Sequence, residues 1–398
     1  MKNLSLTLYL EVNNSNYIFF VVESDEQKNT KIVYNNDISL NELGNDRTFN
    51  LEKTFNIIKE NIYLVEQKLN CTFKEIVLIL DNFSPSFINV TGFKKLNGSQ
   101  VLRENITYIL NTLKSCVDEI ESKKTVLHIF NSKFYLDNKK IENLPVGLFG
   151  DLYSHELSFT LINSNVYNNF IQIFEKCNLK VKKILIKSFV KGANLSEKNK
   201  NIDTFFLIKF NKNNSKIFYF ENNSLKFEEK FNFGIDIILR DISKITSLDK
   251  DVVKTILYKA ELHNELLEDN ILEKEFFTSI GYKKIKKKLI YEIALARIRE
   301  ISEIILFKNI NLSYYKNFSK VIFLEIDKDL RLRNLDGIFK IIFSKNNAFD
   351  VNFAYDLSIN NLSKTADKLV HFGWEKEAIP ITQSKKTLIA RFFDKIFN

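Results

Sequence analysis

The chain has 398 residues, of which 45% are hydrophobic and 27% charged, and this composition excludes an intrinsically disordered protein. No apolar run approaches the roughly 20 residues that span a bilayer, and three scattered cysteines exclude a disulfide framework or a zinc site. The net charge of +9 is spread along the chain without arginine-rich or aromatic-basic segments, so we expect no nucleic-acid partner. With no signal-peptide pattern at residues 1–5, we expect a cytoplasmic protein.

Strand-like and helix-like patterns alternate along the first half of the chain. Residues 4–12 and 17–23 flank a run of asparagine and serine, which predicts a hairpin. In chain order we then predict strands at 31–33, 76–80, 86–96, 125–136, 157–162 and 182–186, and helices at 51–69, 100–121 and 165–177.

The second half opens with the same pattern as the first. We predict strands at 204–210, 216–220, 225–231 and 320–324, and helices at 236–243, 249–258 and 285–307. A three-strand opening followed by helices therefore occurs twice, near residue 4 and near residue 204. This repetition predicts two related α/β lobes.

Several short motifs between about residues 105 and 257 occur in an order that is typical of one family. They are Val126 to Ile129, Tyr135 to Asp137, Asn143 to Gly150, Cys177 to Val181, Phe233 to Asp236 with Asp241 and Ile242, and Ser247 to Asp249. Together they resemble FtsA, the actin-like family that tethers the bacterial division ring to the membrane.

The resemblance implies an α/β, actin-like two-lobe fold of the Hsp70/actin ATPase superfamily with an FtsA-type inserted SHS2 subdomain. Its domains would be 1–83, 161–198 and about 345–374 (first lobe, 1A), 84–160 (SHS2, 1C), 199–245 and 310–344 (second lobe, 2A), 246–309 (FtsZ-binding, 2B), 375–386 (linker) and 387–398 (membrane helix).

The family's two phosphate-binding loops are altered in this sequence. In the first loop, Glu11 replaces the family's aspartate and Ser15 keeps the family's hydroxyl group. The family's glycine is absent, and Asn13 lies between these two residues. In the second loop both aspartates become lysines, Lys209 and Lys216, around Asn213 and Ser215. Gly234 and Asp236 match a later family motif, whereas the adenosine-side glycines map to 324–327, which has none.

Lysine cannot ligate magnesium, and a side chain in place of glycine obstructs a phosphate. We therefore predict no enzymatic activity, no catalytic residue and no metal site. ATP is the one cofactor that the resemblance implies. Two interpretations of Lys209 and Lys216 stay open: they neutralise phosphates without metal, or they lie on a solvated hairpin, which we favour.

The C-terminal residues show an amphipathic helical pattern. One face carries Leu388, Ile389, Phe392, Phe393, Ile396 and Phe397, and the other carries basic residues that include Arg391 and Lys395. A polar segment with Pro380 precedes them. This pattern is typical of an interfacial membrane helix, although a helix docked on the protein's own core would look alike.

The predicted helix 285–307 resembles the part of FtsA that binds the C-terminal tail of FtsZ. Arg297 and Glu300 match the family's tail-contacting residues. Because Arg297 borders an apolar stripe, its guanidinium could pair with a carboxylate of a bound peptide, whereas the alternative is a solvated basic helix.

These expectations predict a cell division protein that links FtsZ filaments to an anionic membrane surface at the septum. It would be peripheral, on the cytoplasmic side of the inner membrane, would recruit later division proteins, and would self-associate into filaments. The alternatives are a PilM-like pilus-assembly adaptor and an active actin-like ATPase with a rearranged site.

Overall fold

The computed structural model describes residues 5–13, 16–25, 29–39, 51–81, 83–260, 270–277, 281–326, 333–345, 347–354 and 357–378. The chain divides into two compact units. Unit 1 comprises Met1–Ser86 and Ile171–Gly373, and unit 2 comprises Phe87–Phe170 and Trp374–Asn398.

The described elements alternate between strands and helices. The strands are β1 Ser5–Val12, β2 Asn16–Ser24, β3 Thr30–Ser39, β4 Glu75–Leu80, β5 Ser86–Lys95, β6 Lys124–Leu136, β7 Lys139–Ile141, β8 Leu152–Asn163, β9 Lys180–Ile186, β10 Phe205–Phe210, β11 Ser215–Glu221, β12 Ser224–Phe231, β13 Val321–Ile326 and β14 Asp350–Ala354. The α-helices are α1 Leu51–Leu69, α2 Arg103–Ile120, α3 Ser164–Lys176, α4 Lys187–Lys198, α5 Asp236–Thr246, α6 Lys250–Lys259, α7 Lys287–Ser302, α8 Arg333–Ser344 and α9 Ile359–His371. Short 3₁₀ segments lie at Lys274–Phe277, Ile310–Leu312 and Tyr315–Asn317, and a π-helical segment at Glu303–Phe307.

Unit 1 contains two five-stranded sheets of matching topology. The first has the order β3-β2-β1-β4-β9 and the second the order β12-β11-β10-β13-β14. In each, three antiparallel strands are followed by two parallel ones. The predicted fold class, an actin-like two-lobe α/β fold, is confirmed by this duplication.

The parallel strand β4 and most of β10 are apolar because both of their faces are covered. Residues 76–80 of β4 are all buried, as are 205–208 of β10. One continuous hydrophobic core joins the second sheet to helices α5 to α8, so it runs through both the predicted second lobe and the predicted FtsZ-binding region. At roughly 1.5–3 kcal/mol per buried large apolar side chain, these cores fix the sheets that carry the site.

The larger part of unit 2, Phe87–Phe170, lies in sequence between β4 and β9 and forms a smaller α/β unit. Its sheet has the order β5-β8-β6-β7, and α2 contacts β6 and β8. Two apolar clusters lie between the helix and the sheet, one around Tyr153 and the other around Phe159. Its identification as the SHS2 subdomain predicted at 84–160 stays a prediction.

Two predicted boundaries are wrong. We placed about 345–374 in the first lobe, but β14 pairs in parallel with β13 of the second sheet. The return to the first sheet occurs at α9, which contacts α4 and β3. We also placed 375–386 in a linker, but in its described part, 375–378, Glu377 forms a β-bridge with Phe130 of β6.

Several element boundaries also differ from the prediction. The strand predicted at 31–33 extends over the whole of β3, and the helix predicted at 285–307 ends as an α-helix at Ser302 and continues as a π-helical segment. The sequence pattern did not indicate α4 at all. Within the described ranges, no helix is both long and apolar enough to cross a membrane.

Candidate functional site

The two sheets of unit 1 place opposite charges at matching positions. In β1, Glu11 lies beside Ile79 of β4, and in β10, Lys209 lies beside Glu325 of β13. Glu11 and Lys209 are each the next-to-last residue of the central strand of their sheet. The same place in the duplicated topology therefore carries a carboxylate in one sheet and an ammonium group in the other.

On the first sheet, Lys187 joins two carboxylates. It is the first residue of α4, which begins where β9 ends. Its Nζ atom donates to the buried carboxylate of Glu11 and lies 3.2 Å from Oδ2 of Asp81, the residue that follows β4. A single ammonium group thus lies between two acidic side chains that end neighbouring parallel strands.

Burial and pairing compete in setting the protonation of these groups. Burial raises the pKa of Glu11 above its ordinary value, and Lys187 offsets only part of that rise. Burial would also raise the pKa of Asp81, but the ammonium groups of Lys187, Lys209, Lys191 and Lys216 outweigh it and lower the pKa. For Lys187, burial lowers the pKa, and the charges of Asp81 and Glu11 reverse this and raise it.

On the second sheet, Glu325 is the shared acceptor. Its Oε1 atom lies 2.7 Å from Nζ of Lys191, one helical turn after Lys187 on α4, and 3.2 Å from Nζ of Lys209. Helix α4 therefore binds both sheets through two lysines four residues apart. Gly192 allows this approach, since a Cβ atom there would lie 2.0 Å from the ring of Phe220 on β11.

A further buried ion pair closes the hairpin of the second sheet. Nζ of Lys216 on β11 lies 2.9 Å from Oε1 of Glu228 on β12. Burial raises the pKa of Glu228, and Lys216 counteracts part of the rise. The Lys216 side chain is only 7% exposed.

The turn between β10 and β11 directs its carbonyl groups at the start of α5. The backbone N–H groups of Ile235 and Asp236 donate to the carbonyls of Asn211 and Lys212, each at 3.0 Å. Gly234 permits the close packing, because a Cβ atom there would lie 2.1 Å from the Asn211 carbonyl oxygen. The turn thus satisfies backbone donors of a helix N-terminus.

These elements enclose a cavity of about 410 Å³. Its polar and charged lining residues are Asp81, Lys187, Ser188, Lys191, Lys209, Asn211, Lys212, Asn213, Asn214, Lys216, Glu228, Lys230 and Glu325. Six lysines face three carboxylates in this lining, so the cavity carries an excess of positive charge. Within the described ranges, no group of three or more His, Cys, Asp or Glu side chains is arranged to hold a metal ion.

The structure brings together only some of the residues predicted for the nucleotide site. Lys209, Asn213 and Lys216 line the cavity, and Glu11 reaches it through Lys187. The interpretation of Lys209 and Lys216 as a solvated hairpin is wrong, because both are largely buried and both are ion-paired.

Other predicted residues point elsewhere. The Ser215 hydroxyl donates to the carbonyl of Phe233, and the Asp236 carboxylate pairs with Lys250 and Arg240. The Asn13 side chain accepts from the backbone N–H of Asn16 within the β1–β2 turn, and Ser15 lies outside the described residues.

Sequence reasoning missed Asp81, Lys187, Lys191 and Glu228. Two signals could have indicated three of them. Asp81 directly follows an apolar strand, and Lys187 and Lys191 follow the next parallel strand at the spacing of one helical turn. Glu228 lies in a strand of alternating character and offered no such signal.

The predicted peptide-binding residues lie side by side on α7. Nε of Arg297 donates to the carboxylate of Asp241 on α5, and its Nη1 atom lies 2.5 Å from Oε2 of Glu300. The guanidinium is half-buried and already engages two carboxylates. Lys287, the first residue of α7, is buried and pairs with Glu273.

The predicted membrane-binding residues, 387–398, lie outside the described residues, as does Pro380.

The chain is similar in sequence to curated cell division proteins named FtsA. It is 24% identical to that of Buchnera aphidicola subsp. Schizaphis graminum over 184 residues, 46% of this chain and 44% of the relative. It is 22% identical to that of Buchnera aphidicola subsp. Acyrthosiphon pisum over 259 residues, 65% of this chain and 61% of the relative. It is also 22% identical to FtsA of Escherichia coli K12 over 135 residues, 34% of this chain and 32% of the relative. The chain thus spans less than two thirds of these relatives, and the FtsA resemblance is confirmed.

No protein-family model matches the chain. Among solved structures, the chain has a TM-score of 0.47 and 9% identity to a PilM-PilN type IV pilus biogenesis complex, with 92% of this chain and 95% of that chain covered. It has a TM-score of 0.40 and 12% identity to MreB5 of Spiroplasma citri bound to ADP, with 92% and 95% covered.

Proposed function

We propose that this protein acts in cell division as an FtsA-like adaptor, which holds FtsZ filaments at the cytoplasmic face of the inner membrane. The similarity to FtsA sequences carries the proposal, since it extends over up to 65% of the chain. The duplicated sheets of unit 1 are compatible with it. Later division proteins and further copies of the chain are the other proposed partners, and exposed apolar side chains of unit 2, such as Leu148 and Phe149, support self-association.

Membrane attachment is assigned to the amphipathic pattern at 387–398. Six apolar residues on one face would enter the interface, and Arg391 and Lys395 would meet anionic headgroups. Each basic residue near such a surface contributes about 1 kcal/mol, and each fully buried large apolar side chain roughly 1.5–3 kcal/mol. Together these contributions are sufficient for peripheral binding without a membrane-spanning segment.

Sedimentation with vesicles that contain anionic lipid tests this attachment. The full chain should pellet, whereas a chain ending at Ser384 and the variant Phe392→Asp/Phe393→Asp should stay in the supernatant. The matched control is Asn398→Asp, which adds a negative charge outside the apolar face and should still pellet. Equal sedimentation of all four proteins would reject a membrane role for this segment.

FtsZ-tail binding is assigned to α7 at Arg297 and Glu300. Because Arg297 already pairs with Asp241 and Glu300, a tail carboxylate would have to replace one of them. This exchange needs little desolvation, since the Glu300 side chain is 53% exposed.

A charge reversal on α7 tests this site. Arg297→Glu should weaken binding of an FtsZ C-terminal peptide by at least tenfold in a fluorescence anisotropy titration, because the reversed charge repels the tail. Arg299→Glu, two residues further along α7 and exposed, is the matched control and should change the affinity less than threefold. Equal affinities for both variants would remove Arg297 from the site.

The cavity of about 410 Å³ in unit 1, called the cleft from here on, does not fit a nucleotide that needs a magnesium ion. Asp81, Glu228 and Glu325 each have a lysine ammonium group within about 3 Å, so a divalent cation would have to displace that group. Two carbonyl groups of the β10–β11 turn accept hydrogen bonds from the start of α5. Lys212 and Asn213 of the same turn line the cavity, where the family's glycines would leave room for phosphate. We therefore infer that the protein is not an ATPase, and that any ATP binding is weak and independent of metal.

Calorimetric titration with ATP tests this inference. We expect no micromolar affinity, and the same weak heat with magnesium as with EDTA. A steady-state phosphate-release assay should give no turnover above the buffer rate. Micromolar affinity that requires magnesium, or measurable turnover, would reject the inference and favour an active ATPase.

A further inference from the structure

The segment Trp374–Ala378 forms a turn, in which the backbone N–H of Glu377 donates to the carbonyl of Trp374, and then a single β-bridge with the edge of β6. The backbone N–H of Asn131 donates to the carbonyl of Lys376 at 2.6 Å, and that of Ala378 donates to the carbonyl of Ile129 at 2.7 Å. Glu377 and Phe130 lie opposite each other in antiparallel orientation. The bridge has the antiparallel hydrogen-bond pattern by which a peptide is added to an exposed sheet edge, here over Lys376–Ala378.

Two side chains give this contact specificity. Oε1 of Glu377 lies 2.8 Å from Nδ1 of His128, and the two side chains are 7% and 0% exposed. Ala378 packs against the apolar cluster that includes Val117 and Phe159. At this edge of β6 the contacts therefore suit an acidic residue followed by a small apolar one.

The edge of β6 is open at this point because β7 is short. β7 pairs only with Phe134–Leu136, which leaves the Ile129–Asn131 edge for another strand. Gly373, with φ of +72°, precedes the segment and permits the chain to turn toward this edge. An open edge attracts strands, and this one receives the chain's own segment.

We propose that the β6 edge at Ile129–Asn131 is a strand-accepting peptide site, whose ligand is the chain's own segment Trp374–Ala378. Glu377 and Ala378 are its recognition residues. This site assigns the segment to unit 2, although it directly follows the last helix of unit 1 in sequence.

One consequence rests on the proposed membrane function. With the segment docked, eight residues, 379–386, separate it from the predicted membrane helix, and they can span at most about 28 Å. With the segment released, thirteen residues, 374–386, can span about 45 Å. Docking would therefore attach the membrane tether to unit 2 and shorten it.

Amide hydrogen exchange of the full chain in solution, without membranes, tests the site. In the wild-type chain the amides of Asn131 and Ala378 should be protected. Glu377→Gln replaces the charge-assisted contact to His128 and should accelerate exchange of both amides by about tenfold or more. Glu375→Gln is the matched control: it makes the same change at an exposed position two residues earlier and should alter both rates less than twofold.

A second variant keeps the test independent of the His128 contact. Ala378→Asp places a charge against the apolar cluster and should also release both amides, while amides of β1 keep their wild-type protection and show that the fold is intact. Unprotected amides in the wild type, or equal rates in Glu377→Gln and Glu375→Gln, would overturn the proposal. Since no membrane is present, a chain that fails to bind vesicles but passes this test refutes the membrane function alone.

Discussion

The cleft of unit 1 and the surroundings of His155 in unit 2 bury titratable groups in opposite ways. In the cleft, Glu11, Glu228 and Glu325 are buried, and each has a lysine ammonium group within about 3 Å. In unit 2, His155 is fully buried between the rings of Phe134 and Tyr153, and neither of its ring nitrogens has a hydrogen-bond partner among the described residues.

The difference shows what keeps a buried group charged. In the cleft the nearby lysines lower the pKa of Asp81 despite its burial. In unit 2 burial lowers the pKa of His155 to about 4, and the charge of Glu156 counteracts only part of this. The charged form is therefore favoured where the nearby opposite charges outweigh burial, as at Asp81, and disfavoured where burial outweighs them, as at His155.

Of the substitutions considered, removal of Lys187 from the cleft should lower the free energy of unfolding the most. Lys187→Met leaves the buried Glu11 and Asp81 without their shared cation, which should lower the free energy of unfolding by about 3–5 kcal/mol in urea denaturation. Lys198→Met, at the exposed end of the same helix, is the matched control and should stay within about 0.5 kcal/mol of wild type.

A double variant separates charge from packing at this position. In Lys187→Met/Glu11→Gln the uncompensated charge of Glu11 is gone, so part of the loss should be recovered. If Lys187→Met costs no more than Lys198→Met, the ion pairs contribute nothing to stability and the contrast between the two regions fails.

Acid should destabilise the fold through protonation of His155 in unit 2. The unfolded chain protonates His155 near its ordinary pKa of about 6.5, whereas the folded chain does so only near pH 4. Because the folded pKa is depressed, this contribution to stability is complete above pH 6.5 and is lost as the pH falls toward 4, by up to about 3 kcal/mol.

Unfolding titrations between pH 7 and pH 4 measure this loss. His155→Phe removes the titrating ring but keeps an aromatic side chain between Phe134 and Tyr153. Its free energy of unfolding should fall by about 3 kcal/mol less than that of the wild type over this range. An unchanged pH dependence in His155→Phe would mean that the acid sensitivity arises elsewhere.

The sheets were predictable from sequence, whereas the ion pairs were not. Apolar runs such as 76–80 and 205–208 predict buried strands because hydrophobic pattern reports local burial, and the repeated three-strand opening predicts the duplication. The pairing of β14 with β13 escaped prediction, since a five-residue strand next to an unassigned loop carries little pattern.

Only those residues of the candidate site that lie at the ends of predicted strands could be predicted. Glu11 and Lys209 were found because each follows an apolar strand pattern at a family loop. Lys191 and Glu325 are 134 residues apart, and no local pattern indicates that α4 lies against both sheets. Likewise, the polar composition of 375–386 predicted a linker, because the partner of Glu377 is 249 residues away in sequence.

Lys209 provides the smallest and most discriminating test of the paired cleft. Glu325 has two ammonium partners, with Lys191 at 2.7 Å and buried, and Lys209 at 3.2 Å and 19% exposed. Lys209→Met leaves the shorter, drier pair intact and should cost about 1 kcal/mol in urea denaturation, whereas Lys191→Met should cost at least twice as much. Equal costs would mean that Glu325 responds to the total positive charge of the cleft rather than to one close partner, and would replace the paired description by one of a diffuse positive field.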